Sequence, residues 1–155
     1  MREVIPGAPH SDAKPAMAPV NHVEPDPSEY RSSAPAQTYR DDPSGLPGEM
    51  RGRMLEAGVM VDGTAGRSGT FIQVDHAPVH VSLSADGIEM MAMSDALERY
   101  DWVEDCWWRA VAPDADRFTS HVQHSEQNGY FIRALPGAKT LLPLQACLYL
   151  ETQGL

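Results

Sequence analysis

The sequence is short of cysteine and of positive charge, and each shortage excludes a class of protein. Two cysteines, Cys106 and Cys147, stand far apart among 155 residues, so the chain has neither a disulfide framework nor a Cys-x-x-Cys metal knuckle. Twelve Lys and Arg against 22 Asp and Glu give a formal charge of -10. Such a chain would repel the phosphates that a nucleic-acid-binding protein neutralises, whereas an acidic surface favours solubility or a basic protein partner.

Long apolar runs are also missing. No stretch approaches the roughly 20 apolar residues of a membrane-spanning helix. The opening residues, MREVIPGAPHSDAK, contain no apolar signal-peptide core. These absences predict a cytoplasmic protein with reduced thiols that has neither nucleic-acid nor membrane partners.

Proline, by contrast, is concentrated near the beginning of the chain. Nine of the 13 prolines precede residue 48, in a segment with few aromatic or branched apolar residues. A segment of this composition cannot bury enough surface to offset the entropy of ordering its backbone. The composition therefore predicts a disordered Pro-rich tail over residues 1–45, followed by a small α/β region over 46–117 and a second part over 118–155.

The residues after the tail predict an α+β fold. Pro47 suits a first helical turn, Met50 and Met54 follow helical spacing, and Gly58 can end the helix. The apolar run FIQV begins a strand, residues 79–83 alternate between apolar and polar, and IEMMAM resumes extended structure after the turn sequence SADG. Together these segments predict a small antiparallel meander.

The second half predicts further helices and a hairpin. Ser94 can cap one helix or two short ones, which end at Pro113. We assign the tryptophans in this stretch to packing, because aromatic rings supply the largest buried area per residue. Residues 118–124 and 130–135 read as the arms of a hairpin around the turn SEQNG, since Asn-Gly is a favoured turn pair.

The last strand, PLQACLYLE, is the most apolar of the sequence. Alternation places four side chains on one face: Leu144, Ala146, Leu148 and Leu150. An unpaired strand of this kind invites association. We therefore expect that further strands cover it and that the chain is a fragment of a larger protein.

No residue pattern reaches the level of a catalytic prediction. Cys147 would need an activating base or an electropositive setting, which its strand neighbours Gln145 and Tyr149 do not supply. The glycine-rich DGTAGRSGT lacks the lysine of a phosphate-binding loop. An enzyme using Cys147 is thus the weakest hypothesis, and we predict no enzyme and no catalytic, cofactor-binding or metal residues.

The four histidines of the predicted strands leave one alternative open, in which the chain is a free-standing β-module that binds a metal or small ligand. The residues would be His76, His80, His121 and His124. On a regular strand, residues four apart lie roughly 13 Å apart, too far to share a zinc ion whose bonds are about 2 Å long. A kink at Pro78 would shorten the first pair.

Five segments in series resemble a known family: RMLEAGV, GRSGTFIQVDH, ALERYDWVEDCWWRAV, GYFIRALPGAK and PLQACLYLE. From Leu46 onward they look like the amino-terminal portion of the SufB/SufD family, the scaffold components of the Suf iron–sulfur cluster assembly system. The resemblance implies that a small α/β region precedes a long right-handed parallel β-helix. Residues 118–155 would be the truncated start of that β-helix core.

The resemblance also implies how the whole protein acts. A helical part docks a SufC-type ATPase, and members pair as SufB–SufD heterodimers or with themselves. The scaffold receives sulfur, builds a transient iron–sulfur cluster and passes it on. Cys147 does not match the family's sulfur-handling cysteine, so no functional residue is carried over. We expect interaction without catalysis, and no cofactor on this chain itself.

Overall fold

A computed structural model of the chain describes residues 25–31, 33–61, 66–124 and 129–152. The fold is α+β, as predicted. The helices are α1 (Gly48–Glu56), α2 (Met93–Arg99) and α3 (Arg117–His124), and short 3-10 helices cover Pro27–Glu29, Pro43–Gly45 and Asp101–Cys106. The strands are β1 (Gly69–Val74), β2 (Ala77–Leu83), β3 (Ile88–Ala92), β4 (Tyr130–Ala134) and β5 (Leu144–Tyr149).

Three strands form the main sheet, in the order β2-β1-β5. β1 pairs antiparallel with β2 and parallel with β5. All six residues of β1 are buried, because it has a neighbour on each side and packing on both faces. On one face, Ile72 and Val74 pack with Met50 and Met54 of α1, which confirms the predicted helix and its apolar spacing.

The second sheet joins β3 and β4 in antiparallel register, with Met90 opposite Ile132. It covers the other face of β1, where Phe71 packs against Met90 and Ala92. The prediction of extended structure after the SADG turn is therefore confirmed, but the predicted meander is limited to β1 and β2, because β3 pairs with β4 in the second sheet. Of the two alternatives predicted from Ser94, the structure has two short helices. The first is α2, which begins at Met93, one residue before the predicted cap, and the second is the 3-10 helix Asp101–Cys106.

The predicted hairpin over residues 118–135 is wrong in its first arm. Those residues form α3, and β4 pairs with β3 instead. Asp116 accounts for the difference, because its Oδ1 accepts hydrogen bonds from the backbone N–H groups of Phe118 and Thr119, each at 2.8 Å. This side-chain cap favours a helix start. Residues 125–128 of the predicted turn lie outside the described residues.

The first and last described segments bear on the predicted Pro-rich tail and on the predicted last strand. Residues 1–24 of the tail predicted to be disordered lie outside the described residues. Near the other end of that segment, the Arg40 amide donates to the Val79 carbonyl at 2.8 Å, so the chain runs beside β2 there. The last strand is confirmed as β5, but its partner is β1, and a following β-helix stays a prediction. None of the described helices has the length and apolar character needed to cross a bilayer.

Candidate interaction surface and cavity

β5 presents an apolar face to solvent. Cys147 packs into the cluster beneath α1, and alternation turns its neighbours to the opposite face. There Leu144 packs against the cluster around Phe71, but Leu148 is 56% exposed and Leu150, just after the strand, is 71% exposed. We call Leu148 and Leu150 the leucine pair.

The same strand has an edge without a described partner. β5 is the last strand of the sheet, and β1 is the only described strand that pairs with it. An unpaired edge exposes backbone N–H and C=O groups that can accept another strand. The edge and the leucine pair together form a surface suited to a protein partner.

Asp75 fastens the far end of β5 to the turn between β1 and β2. Its carboxylate accepts hydrogen bonds from the Glu151 amide at 2.8 Å and from the amide and hydroxyl of Thr152 at 3.1 and 2.8 Å. Burial raises the pKa of this carboxyl, but the hydrogen bonds outweigh burial and hold the pKa below its ordinary value. Asp75 therefore has a structural role, because its carboxylate already accepts three hydrogen bonds from its own chain.

Cys147 is not in a setting that would activate a nucleophile. The residue is buried, and burial raises the pKa of its thiol. A thiol with a raised pKa is mostly protonated near neutral pH, whereas nucleophilic attack requires the thiolate.

The four histidines do not converge. His80 is buried, with Nδ1 2.9 Å from the Arg40 carbonyl oxygen and Nε2 3.1 Å from Ser82 Oγ. His124 lies on α3, with Nδ1 2.7 Å from the Ser120 carbonyl oxygen. Within the described ranges, no three His, Cys, Asp or Glu side chains are grouped closely enough to hold a metal ion.

The remaining two histidines, His76 and His121, line the same cavity of about 730 Å³. The cavity lies between the β1–β2 turn, the segment around residues 25–31 and the residues leading into α3. Its aromatic lining comprises Tyr30, Trp107, Trp108 and Phe118. Packing is the role that the sequence predicts for the tryptophans, and this cavity was not predicted. The run of aromatic residues was a signal, but the other walls come from distant parts of the chain.

The third tryptophan belongs to a separate surface cluster, where packing was the right assignment. Trp102 packs against Tyr100 and Phe131 with the rings tilted, at ring centroid distances of 5.8 and 6.0 Å. The Arg133 guanidinium lies 5.3 Å from the Tyr100 ring centroid and 5.5 Å from that of Trp102. The Tyr100 hydroxyl donates to Glu89 at 2.7 Å, and this hydrogen bond raises the pKa of Tyr100.

Comparison with known proteins adds a family relationship to this geometry. No family model matches the chain. A curated protein of Archaeoglobus fulgidus, named "Iron-sulfur cluster assembly SufBD family protein", is 42% identical over 99 residues, which are 64% of this chain and 27% of that protein. The homologue from Methanothermobacter thermautotrophicus strain Winter, also named as a SufBD family protein, is 38% identical over 113 residues, or 70% of this chain and 27% of its own length. The chain thus spans about a quarter of the length of the curated relatives it matches.

Proposed function

Because this chain belongs to the SufBD family over the matched 64–70% of its residues, we propose that it contributes to iron–sulfur cluster assembly as part of a scaffold. It acts by protein–protein interaction and carries out no catalytic step itself. The cluster is the cargo of the whole assembly and is not held by residues of this chain. The homology supports the assembly role, and the surface of β5 supports the mode of action.

The β5 surface has the composition of an interface. Burying a leucine side chain completely contributes about 1.5–3 kcal/mol. The leucine pair retains 56% and 71% of its accessible surface. Covering both side chains would therefore contribute about 2–4 kcal/mol in total, and strand pairing along the open edge would add hydrogen bonds.

The partner that fits this surface is another strand of a SufB/SufD-type protein, supplied by a heterologous subunit or by a second copy. Strand addition to an open edge requires only an extended segment with apolar side chains on one face. A SufC-type ATPase is proposed to join through the larger assembly, because the family resemblance assigns its docking to a helical region. The expected location is the cytoplasm.

The proposal is tested by co-purification of the tagged chain with the SufB/SufD-type proteins encoded in the same genome. The wild-type chain should retain one of them. The double variant L148K/L150K should bind at least about 30-fold more weakly, since about 2–4 kcal/mol of burial is lost. Leu55→Lys is the matched control, because Leu55 is 40% exposed on α1, and α1 packs on the face of β5 that carries Cys147, opposite the leucine pair.

Two outcomes of the co-purification would contradict the proposal. Retention of the partner by L148K/L150K at the level of Leu55→Lys would remove the leucine pair from the interface. A wild-type chain that retains no SufB/SufD-type protein would contradict the mode of action. Melting curves of the three proteins show whether any loss of binding reflects unfolding.

A further inference from the structure

The cavity lined by His76 and His121 has a chemical character that the scaffold proposal does not use. Its volume of about 730 Å³ lies within the range of small-molecule sites, roughly 300–1,000 Å³. Aromatic side chains from three separate segments face it: Tyr30, Trp107, Trp108 and Phe118. Flat aromatic walls favour a flat occupant, because rings stack on one another.

Backbone strain is concentrated at this cavity. Among the described residues, only two that are not glycine have a positive φ: Asp75 at 52° and Trp108 at 59°. Both line the cavity. Asp tolerates this conformation well, but a bulky residue such as Trp adopts it rarely. Strained residues cluster at ligand sites because the strain holds a side chain in a working position, here the ring of Trp108.

A buried polar side chain also belongs to the cavity lining. Gln73 lines the cavity and is 7% exposed. Its Nε2 donates to the Asp75 carbonyl at 2.7 Å, which leaves its buried Oε1 without a described hydrogen-bond partner. A buried acceptor without a donor is costly, and a ligand N–H group would satisfy it.

The charge at the cavity is locally positive, although the chain as a whole carries -10. Arg31 and Arg109 line the cavity, and neither guanidinium forms an ion pair or hydrogen bond that the structure shows with another described residue. The carboxylate in the lining, Asp75, is already occupied by three hydrogen bonds from Glu151 and Thr152. A free guanidinium beside an aromatic wall favours an anionic group.

From these features we infer that the cavity binds a planar aromatic molecule that bears an anionic group and a ring N–H donor. The ring stacks on Trp108 and its neighbours, the anion pairs with Arg31 and Arg109, and the ring N–H reaches Gln73. The cavity adjoins the β5 surface, because Gln73 lies opposite Leu148 in the β1–β5 register, but its lining includes neither member of the leucine pair. The inference does not depend on the proposed role in cluster assembly.

Three probes separate the recognition elements by isothermal titration calorimetry. Indole-3-acetate carries the ring, the N–H group and the carboxylate, and should bind with a stoichiometry of one. 3-Methylindole lacks the anion and 1-methylindole-3-acetate lacks the N–H donor, so each should bind about 10-fold more weakly. Absence of binding by indole-3-acetate, or equal affinity for all three probes, would overturn the inference.

Variants of the chain provide the second arm of the test. The double variant R31Q/R109Q should weaken indole-3-acetate about 10-fold and leave 3-methylindole unchanged. Trp108→Gly should weaken both probes while the melting temperature stays close to wild type, because glycine accepts the positive φ that tryptophan resists. Trp102→Ala is the control, since Trp102 lies outside the cavity lining, and it should bind like wild type.

The melting temperature and the probe affinities of these two variants also distinguish a ligand-binding role of Trp108 from a structural role. If Trp108→Gly lowers the melting temperature strongly and R31Q/R109Q binds both probes like wild type, the tryptophan serves the fold and the inference is wrong. All these measurements use the isolated chain without any Suf protein. A failure here therefore leaves the co-purification experiment untouched, and a failure there leaves this one untouched.

Discussion

Asp75 offers the sharpest test of how the structure is held together. It holds the residues after β5 against the β1–β2 turn through its carboxylate, and its backbone has a φ of 52°. We choose the substitutions Asp75→Asn and Asp75→Gly, because asparagine and glycine both tolerate a positive φ. The backbone effect is thus similar in the two variants, and the difference between them reports the hydrogen bonds.

The expected magnitudes follow from the three hydrogen bonds that the carboxylate accepts. Hydrogen bonds to a charged group contribute about 1.5–3 kcal/mol each, and the lower value applies because Glu151 is exposed. Asp75→Gly should therefore lower the free energy of unfolding by about 4–5 kcal/mol. Asp75→Asn keeps one oxygen for the two amides as neutral bonds of about 1 kcal/mol each, so it should cost about 2–3 kcal/mol.

The assay is urea unfolding followed by circular dichroism at a series of pH values. The hydrogen bonds hold the pKa of Asp75 in the folded chain below 3.8, its ordinary value. A depressed pKa in the folded state gives stabilisation that is full above the unfolded pKa and is lost as the pH falls through the folded pKa. The gap between wild type and Asp75→Gly should therefore be constant above about pH 5 and shrink below pH 4.

Two results would refute this reasoning. One is an Asp75→Gly variant whose free energy of unfolding at pH 7 lies within about 0.5 kcal/mol of wild type, the range of an ordinary surface substitution. The other is a gap that stays constant down to pH 2.5, which would mean that the charge of the carboxylate does not contribute.

Three further predictions concern the core, the aromatic cluster and the β5 surface. A Cβ added at Gly69 would lie 2.8 Å from a side-chain atom of β2 and 3.0 Å from a backbone oxygen, so Gly69→Ala should cost about 1–3 kcal/mol in urea unfolding. The matched change Gly52→Ala, with nothing within 4 Å in α1, should instead stabilise by about 0.5–1 kcal/mol; equal effects would contradict the packing of β1. Glu89→Gln should lower the pKa of Tyr100 toward its ordinary value in a spectrophotometric titration, because the hydrogen bond to Glu89 raises it, and an unchanged titration would contradict that cause. The isolated wild-type chain should associate with rising concentration in sedimentation velocity, whereas the variant with lysines at the leucine pair stays monomeric; identical profiles would show that the β5 surface is inert.

The elements that the sequence predicted well are those set by near neighbours. The spacing of Met50 and Met54 and the glycine at position 58 are sufficient for α1. The apolar run of Phe71, Ile72 and Val74 is sufficient for β1 and alternation is sufficient for β2, and the two strands are joined by a two-residue turn. The helix α3 was missed although Phe118 and Val122 are four residues apart, as on one face of a helix, because the Asn-Gly pair at 128–129 favoured a hairpin turn. The deciding contact is the cap from Asp116, whose effect depends on local hydrogen-bond geometry.

The parts that the sequence did not predict depend on contacts between distant residues. The parallel pairing of β1 with β5 places Phe71 opposite Ala146, and no local pattern specifies such a register. The cavity likewise joins Tyr30, Gln73 and Trp108 from three segments. Local alternation did show which side chains of β5 share a face, and the exposure of Leu148 and Leu150 agrees with the expectation of an uncovered apolar strand.

The central claim is that β5 is an assembly interface of a SufBD-type scaffold. Hydrogen–deuterium exchange of the chain, alone and mixed with the SufB/SufD-type protein from the same genome, tests it most directly. The account predicts that amides of residues 144–149 become protected in the mixture, while those of α1 exchange as before. Unchanged exchange along β5 in a mixture where the two proteins are bound to one another would contradict it.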